Sequence, residues 1–311
     1  MSASRDHGGG LDAAIARHGG TRAEWLDLST GINPVPYPVG DIPVDAWAAL
    51  PDRAAMERLT RAARAFWNIP KGAGVLAAPG ASALIARIPT LATPGRVDIP
   101  GPTYNEHAAA FRNAGWDVAV EGSAARVLVH PNNPDGRLWD AAEANAPLTV
   151  IDESFCDVDP AHSLIDLSER PGSLILKSFG KFWGLAGLRL GFVIGDPALI
   201  HRLAEALGPW PVSGPALEIG ARALEDTGWA EATRERLAQD AARLDRLMTG
   251  RGAEVVGGTT LFRLYKVDDA AAWQARLAKA RVWSRIFPYS DSWLRLGLPA
   301  PDRWDQLEAA L

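Results

Sequence analysis

Residues 173–194 read SLILKSFGKFWGLAGLRLGFVI. The apolar runs at 173–176 and 190–194 predict two strands, and the glycine-interrupted stretch between them predicts a turn. Lys181 lies in that turn, with Ser178 three residues before it and Arg189 eight residues after it. A hydroxyl and a guanidinium flanking an amine suit a cofactor that carries an aldehyde and a phosphate. The amine bonds the aldehyde, while the hydroxyl and guanidinium hold the phosphate by charge-assisted hydrogen bonds. Pyridoxal phosphate (PLP) has that pair of groups. The plainer reading is a surface Lys–Arg loop. The chain has only five lysines, Lys71, Lys177, Lys181, Lys266 and Lys279, so candidates for lysine chemistry are few.

Outward from this stretch, short apolar runs near 74–78, 96–99, 117–120, 126–129 and 148–151 also read as strands. Helical spacing fits 53–67, 81–90, 104–114 and 197–207. Strands alternating with helices predict an α/β domain around a mostly parallel sheet. In VIDES, 150–154, an apolar strand ends in Asp152 and Glu153, where open α/β sheets bind ligands. In a PLP site such an Asp keeps the pyridine nitrogen protonated; a helix cap or a Mg²⁺ ligand is the alternative. HPNNPDG, 130–136, places an Asn where it can donate to the cofactor's ring oxygen, or is a surface turn. APGASALI, 78–85, reads as strand, turn and helix start. The N–H groups of Ala81 and Ser82 there suit an anion, or Ser82 is a cap. Tyr104 opens the next helix, where its face can stack on a ring or pack the helix. Arg295, in WLRLGLP, 293–299, suits carboxylate capture, or faces solvent from an edge strand.

After Gly208-Pro209-Trp210-Pro211 the pattern changes. Residues 215–249 read as a long helical stretch with a break at Gly228, followed by strands at 253–256, 260–265, 281–285 and 293–297 and helices near 269–280 and 301–310. This predicts a smaller α+β unit. The expected organisation is an N-terminal segment, 1–31, packing with the small domain, a large PLP-binding domain, 32–210, and a small C-terminal domain, 211–311. The Pro- and Gly-rich stretch 31–43 reads as an irregular connector.

At 311 residues, 47% of them hydrophobic, the chain can bury a large core without disulfide or metal staples. A net charge of −5 argues against a nucleic-acid partner. The single cysteine, Cys156, excludes an intramolecular disulfide and a Cys-rich zinc site, so no metal is expected. No apolar run is long enough for a membrane span, and the first residues lack the apolar core of a signal peptide. A cytoplasmic protein is expected.

Taken together and in this order, the motifs resemble the fold-type I PLP enzymes, the aspartate aminotransferase superfamily, over nearly the whole chain. The GLAGLRLG tail of the lysine motif is similar to the branch holding histidinol-phosphate aminotransferases and the threonine-phosphate decarboxylases of cobalamin synthesis. HGGG at 7–10, LDLSTGINPVPYP at 26–38, Phe155 where aminotransferases usually carry Tyr, and SFGKFWGLAGLRLGF resemble the decarboxylases. The resemblance implies an aminotransferase-like α/β fold, with a mostly parallel seven-stranded sheet in the large domain and a smaller α+β domain, and PLP as cofactor. It implies that Lys181 is the cofactor lysine and that Asp152 faces the pyridine nitrogen, both catalytic. It further implies that Asn133 faces the ring oxygen, that Ala81, Ser82, Ser178 and Arg189 hold the phosphate, and that Tyr104 stacks on the ring. Arg295 would take the substrate carboxylate, with His7, Gly8, Gly9 and Asn33 near the substrate. His7, Arg17, Arg22 and Arg285 are candidates for the substrate phosphate.

The implied reaction is decarboxylation of L-threonine O-3-phosphate to (R)-1-amino-2-propanol O-2-phosphate by a homodimer. The alternatives are a histidinol-phosphate aminotransferase and a non-catalytic PLP-fold binding protein. Three features depart from the family. Leu50-Pro51-Asp52 replaces Tyr-Pro-Asp, Gly180 replaces the Ser common before the lysine, and the span from Asn133 to Asp152 is short.

Overall fold

In the computed structural model, residues 7–119 and 121–311 are described. The first six residues, and Val120 at the end of the strand expected over 117–120, lie outside the described residues. A two-residue strand, β1 (Leu26–Asp27), comes first, followed by β2 (Gly74–Ala78), β3 (Arg96–Asp98), β4 (Asp117–Val118), β5 (Ala125–Val129), β6 (Leu148–Asp152), β7 (Ser173–Ser178) and β8 (Gly191–Gly195). After a helical stretch come β9 (Glu254–Thr259), β10 (Phe262–Lys266), β11 (Val282–Trp283), β12 (Arg285–Phe287) and β13 (Ser290–Gly297).

Seven strands make the larger sheet, in the order β2-β8-β7-β6-β5-β3-β4. Only β8 runs antiparallel to its neighbours, β2 and β7; the other pairs are parallel. Every residue of β6 is buried, as is nearly all of β7, which is why both read as apolar runs without alternation. The register lines up Ala78, Gly191 and Ser178 across β2, β8 and β7. It lines up Val129, Asp152 and Leu176 across β5, β6 and β7. The motifs that follow these strands are therefore delivered to one edge, the carboxyl end of the parallel strands, where such sheets bind ligands.

Side chains alternate across a strand, so β7 serves two faces. Leu174 and Leu176 join Val127, Val150 and Val193 in the core under helices Ala81–Arg87, Asn105–Asn113 and Pro197–Leu207. Lys177 is buried on the other side, beside an aromatic cluster in which Trp183 stacks on Phe179 and Trp229, each at an interplanar angle of 13°.

Close contacts group the chain into two compact units. The larger comprises residues 36–133 and 138–232; the smaller comprises residues through Val35, 134–137 and 233–311. Helix Gly214–Glu225 packs on Arg53–Phe66 within the larger unit. The break expected at Gly228 falls instead at Asp226, between helices Gly214–Glu225 and Thr227–Thr249. Asp226 Oδ1 accepts from the Trp229 N–H at 3.0 Å, so an acid cap restarts the helix and Gly228 is tolerated in its first turn. In the smaller unit β12, β13, β10 and β9 form an antiparallel sheet in that order, and β1 pairs in parallel with β11. Among the described residues, no helix is long and apolar enough to cross a membrane.

Candidate active site

At the carboxyl edge of the larger sheet lies a cleft with about 650 Å³ of open space. Its walls include Ala81, Ser82, Tyr104, Asn133, Asp152, Phe155, Ser178, Lys181 and Arg189. These come from the ends of β2, β5, β6 and β7 and from the loops that follow β2, β3, β5, β6 and β7. All of the expected cofactor residues are thus brought together within one unit.

Lys181 sits in a turn closed by the Gly184 N–H to the Lys181 carbonyl and the Leu185 N–H to the Phe179 carbonyl, both 3.1 Å. Its Nζ stands 5.5 Å from the centre of the Phe155 ring. Arg189 adopts a left-handed backbone conformation, φ 54°. This turns its guanidinium onto the Gly80 backbone, where a Cβ on Gly80 would lie 2.6 Å from Nη2. Gly80 itself has φ 86° and leads into helix Ala81–Arg87. Only glycine satisfies both conditions. The result is a cationic corner at a helix start, whose first N–H groups have no intrahelical acceptor.

Asp152 is buried at 3% exposure. Its Oδ2 meets His107 Nε2 at 2.8 Å, and its Oδ1 accepts from the Ser154 N–H at 3.0 Å and the Ser154 hydroxyl at 2.5 Å. Burial acts to raise its pKa, but the His107 and Ser154 contacts outweigh burial and hold the carboxyl below its ordinary range. His107 was not singled out by the sequence, nor was Ser154. The available signal was the i, i+3 spacing of Tyr104 and His107, which puts both on one side of a helix start. Their rings meet edge-on, with centroids 6.0 Å apart.

The two asparagines of HPNNPDG divide the work. Asn132 is buried, accepting from Thr103 Oγ1 at 2.6 Å and donating to the Pro102 carbonyl at 3.1 Å, while Asn133 lines the cleft. His130 holds the base of the turn: its Nδ1 accepts from the Trp139 N–H at 3.0 Å and its Nε2 lies 2.6 Å from the His162 carbonyl. The short span to Asp152 holds a single 3₁₀ turn, Ala141–Glu143.

PLP fits this residue set. Its phosphate requires cationic, hydroxyl and N–H donors, which Arg189, Ser178 and the Gly80 cradle offer. Its aldehyde requires an amine, Lys181, and its pyridine nitrogen an ionised acceptor, Asp152. Ile85, Tyr104, Val129 and Phe155 give the apolar lining expected of a ring-binding cleft of this size.

The expected substrate residues lie in the smaller unit and are brought together there in part. Arg295, on β13, is buried at 5% exposure rather than facing solvent. Its Nη2 donates to the Ser29 carbonyl at 2.7 Å. Ser29 Oγ in turn accepts from the Gly9 N–H at 2.8 Å, and a Cβ on Gly8 would collide with the Ser29 carbonyl. Arg285 is the cross-strand partner of Arg295, and its Nη1 donates to the His7 carbonyl at 2.8 Å. Burial first, and then the Arg285 charge, pull the Arg295 pKa down to about 10. Two like charges directly opposite each other are unfavourable unless an anion answers them. Asn33 is buried and accepts from Arg236 Nη2 at 2.7 Å. Arg17 and Arg22 are exposed at the other end of the segment, Arg22 within 4.0 Å of Asp12.

Residues 119–310 match the aminotransferase class I and II family. A threonine-phosphate decarboxylase from Sinorhizobium sp is 40% identical over 97% of this chain and 95% of its own length. One from Pseudomonas aeruginosa is 39% identical over 98% of this chain and 97% of its own. Among solved structures, histidinol-phosphate aminotransferase from Sinorhizobium meliloti in complex with pyridoxal-5'-phosphate superposes with a TM-score of 0.85. That match covers 96% of this chain and 92% of the other at 18% identity, a likeness of fold.

Proposed function

The chain belongs to the aminotransferase class I and II family, and from that premise we propose that it is a PLP-dependent decarboxylase of L-threonine O-3-phosphate. The observation that carries this reading is its relatedness to two threonine-phosphate decarboxylases along almost the entire chain, so that it takes in both the cofactor cleft and the Arg285–Arg295 pair. A substrate with a carboxylate and a phosphate suits two adjacent guanidiniums, one of them desolvated.

PLP, when bound, supplies an aldehyde to hold the substrate amine and a ring that accepts the electron pair left when CO₂ departs. Lys181 Nζ holds the cofactor and carries the proton returned to Cα in place of the carboxylate. Asp152, kept ionised by His107 and Ser154, is the acceptor that retains a proton on the pyridine nitrogen. Arg189, Ser178 and the Ala81 and Ser82 N–H groups bind the phosphate. Asn133 would orient the ring oxygen, and Tyr104 would stack on the ring. Phe155 is buried and offers no hydroxyl to compete for the cofactor oxygen or for Lys181. Arg295 takes the substrate carboxylate, and Arg285, with His7 beside it, takes the substrate phosphate.

The test is direct. PLP-loaded protein mixed with L-threonine O-3-phosphate, with no keto acid present, is expected to release CO₂ through many turnovers and to form 1-amino-2-propanol O-2-phosphate. A protein that releases none, yet consumes 2-oxoglutarate with histidinol phosphate, is an aminotransferase instead.

The enzyme is further proposed to be a cytoplasmic homodimer. Val44, Trp47 and Leu50 are 77%, 70% and 67% exposed along one short segment, an apolar display that a second copy would cover. Trp47→Asp is expected to shift the protein to monomer in sedimentation velocity at micromolar concentration; an unchanged dimer places the interface elsewhere.

A further inference from the structure

On the far side of β7 from the packed core lies a buried ion cluster that the proposed chemistry does not use. Lys177, at 2% exposure, places Nζ 2.5 Å from Glu153 Oε2 and 3.6 Å from Asp157 Oδ1. Its Nζ also stands 5.7 Å from the centre of the Trp67 ring. Glu153, fully buried, accepts in addition from the Ser163 hydroxyl at 2.7 Å and the Leu164 N–H at 2.5 Å. Asp157 accepts from two indoles, Trp67 Nε1 at 2.9 Å and Trp183 Nε1 at 3.1 Å. Burial acts to strip the Lys177 proton, but the two carboxylates outweigh it and hold the ammonium charged.

The cluster is not a metal site. Glu153, Cys156 and His130 approach one another. However, both His130 ring nitrogens and both Glu153 oxygens are already engaged by the protein. Burial, reinforced by Glu153, pushes the Cys156 thiol up, away from the thiolate a metal needs.

Its position in the chain is what matters. Glu153 directly follows Asp152, and Trp183 follows Lys181 by two residues. Asp157 therefore holds the segment beyond Lys181, Glu153 holds the segment beyond Asp152, and one ammonium binds both carboxylates. Trp183 is in turn fixed between Phe179 and Trp229, with ring centroids 5.2 and 5.4 Å away, and its carbonyl accepts from the Tyr37 N–H at 2.9 Å.

We propose that Lys177 is a positioning residue: through Glu153 and Asp157 it locks the loops carrying Asp152 and Lys181 into one geometry, on which cofactor binding and the chemical step depend. The inference rests on the PLP reading above. A small displacement of two groups that act on one cofactor is costly, since about 1 Å of misplacement can lower a rate on the order of 10²-fold.

The experiment compares wild type, Lys177→Met and Lys177→Arg. PLP affinity is read from the quenching of tryptophan fluorescence in the apo-protein, and kcat and KM from CO₂ release. Lys177→Met is expected to raise the Kd for PLP at least about tenfold and to lower kcat about 10²-fold. KM for L-threonine O-3-phosphate should stay within about twofold of wild type, because the anion-binding arginines are untouched. Lys177→Arg, which keeps the charge between both carboxylates, is expected to recover most of both losses. If Lys177→Met does not fold, Lys177→Met/Glu153→Gln removes one of the two carboxylate charges left unmatched and restores the net charge of the cluster, and the same readings decide.

A variant that folds and keeps wild-type PLP affinity and kcat overturns the inference. So does one that loses both while Lys177→Arg gives no recovery, since a loss indifferent to the charge reflects packing alone. Wild-type protein that binds no PLP overturns the cofactor reading itself, a result distinct from either.

Discussion

Lys181→Ala is expected to abolish CO₂ release from L-threonine O-3-phosphate, lowering kcat by at least about 10⁴-fold, the upper end of what a positioned acid–base group contributes. That corresponds to roughly 5 kcal/mol of barrier. No other described lysine can take over. Lys177 is buried and ion-paired away from the cleft, and Lys71, Lys266 and Lys279 are exposed outside it. The turn around residue 181 is closed by backbone hydrogen bonds, so the substitution leaves the local structure standing. The lost contact between the ammonium and the Phe155 ring is of the kind worth about 0.5–1 kcal/mol at an exposed site. The melting temperature of the apo-protein should therefore stay near that of wild type. The visible absorbance that PLP acquires on reaching a lysine amine should be missing from the variant. Normal turnover with an unchanged spectrum in Lys181→Ala would move the chemistry to another residue.

The cofactor cleft was legible because its residues sit at strand ends. An apolar run followed by Ser-x-x-Lys, by Asp-Glu or by Asn-Pro-Asp-Gly fixes which end of the sheet carries each side chain, and a parallel sheet gathers those ends on one edge. What the sequence hid were pairings between elements. His107 reaches Asp152 from a helix 45 residues earlier in the chain, and no local pattern encodes that meeting. Arg295 reads equally well as solvent-facing or buried, because alternation along β13 does not say which face is covered. The structure answers with burial against Ser29. Lys177 was one of five candidates for lysine chemistry and Glu153 one of two carboxylates at a strand end, but no local pattern pairs them with each other as the structure does. The helix break moved from Gly228 to Asp226 for the same kind of reason: a glycine is tolerated in a first turn when the acid before it supplies the cap. Helices Leu11–His18 and Val44–Ala48 escaped because they are short: eight and five residues are too few for a helical period to stand out.

Asp152→Asn carries the second largest expected loss, about 10³-fold in kcat, with the protein still folded and still able to bind PLP. Asparagine has nearly the same shape and can keep a contact to Ser154 and another to His107, so packing changes little. What it lacks is the charge. A neutral acceptor in a buried site gives little reason for the pyridine nitrogen to stay protonated, and the ring becomes a poor acceptor for the electrons released with CO₂. A preorganised charge in a water-excluded site is typically worth about 10²–10³ in kcat when removed. The pH dependence follows from the direction of the Asp152 shift. Because the folded pKa is depressed, the stabilisation that comes from its ionised form is fully present above the ordinary carboxylate value, about 3.9. It is lost only as pH falls through the lower folded value. Wild-type kcat should therefore show no acid limb from this group between about pH 5 and 8, a window that lies above the unfolded pKa. Asp152→Asn should be low across that whole window without a change in profile shape. Recovery confined to the acid end would mean that solvent can supply the pyridine proton that Asp152 otherwise holds in place, whereas near-wild-type kcat across the window would show that its charge is not needed.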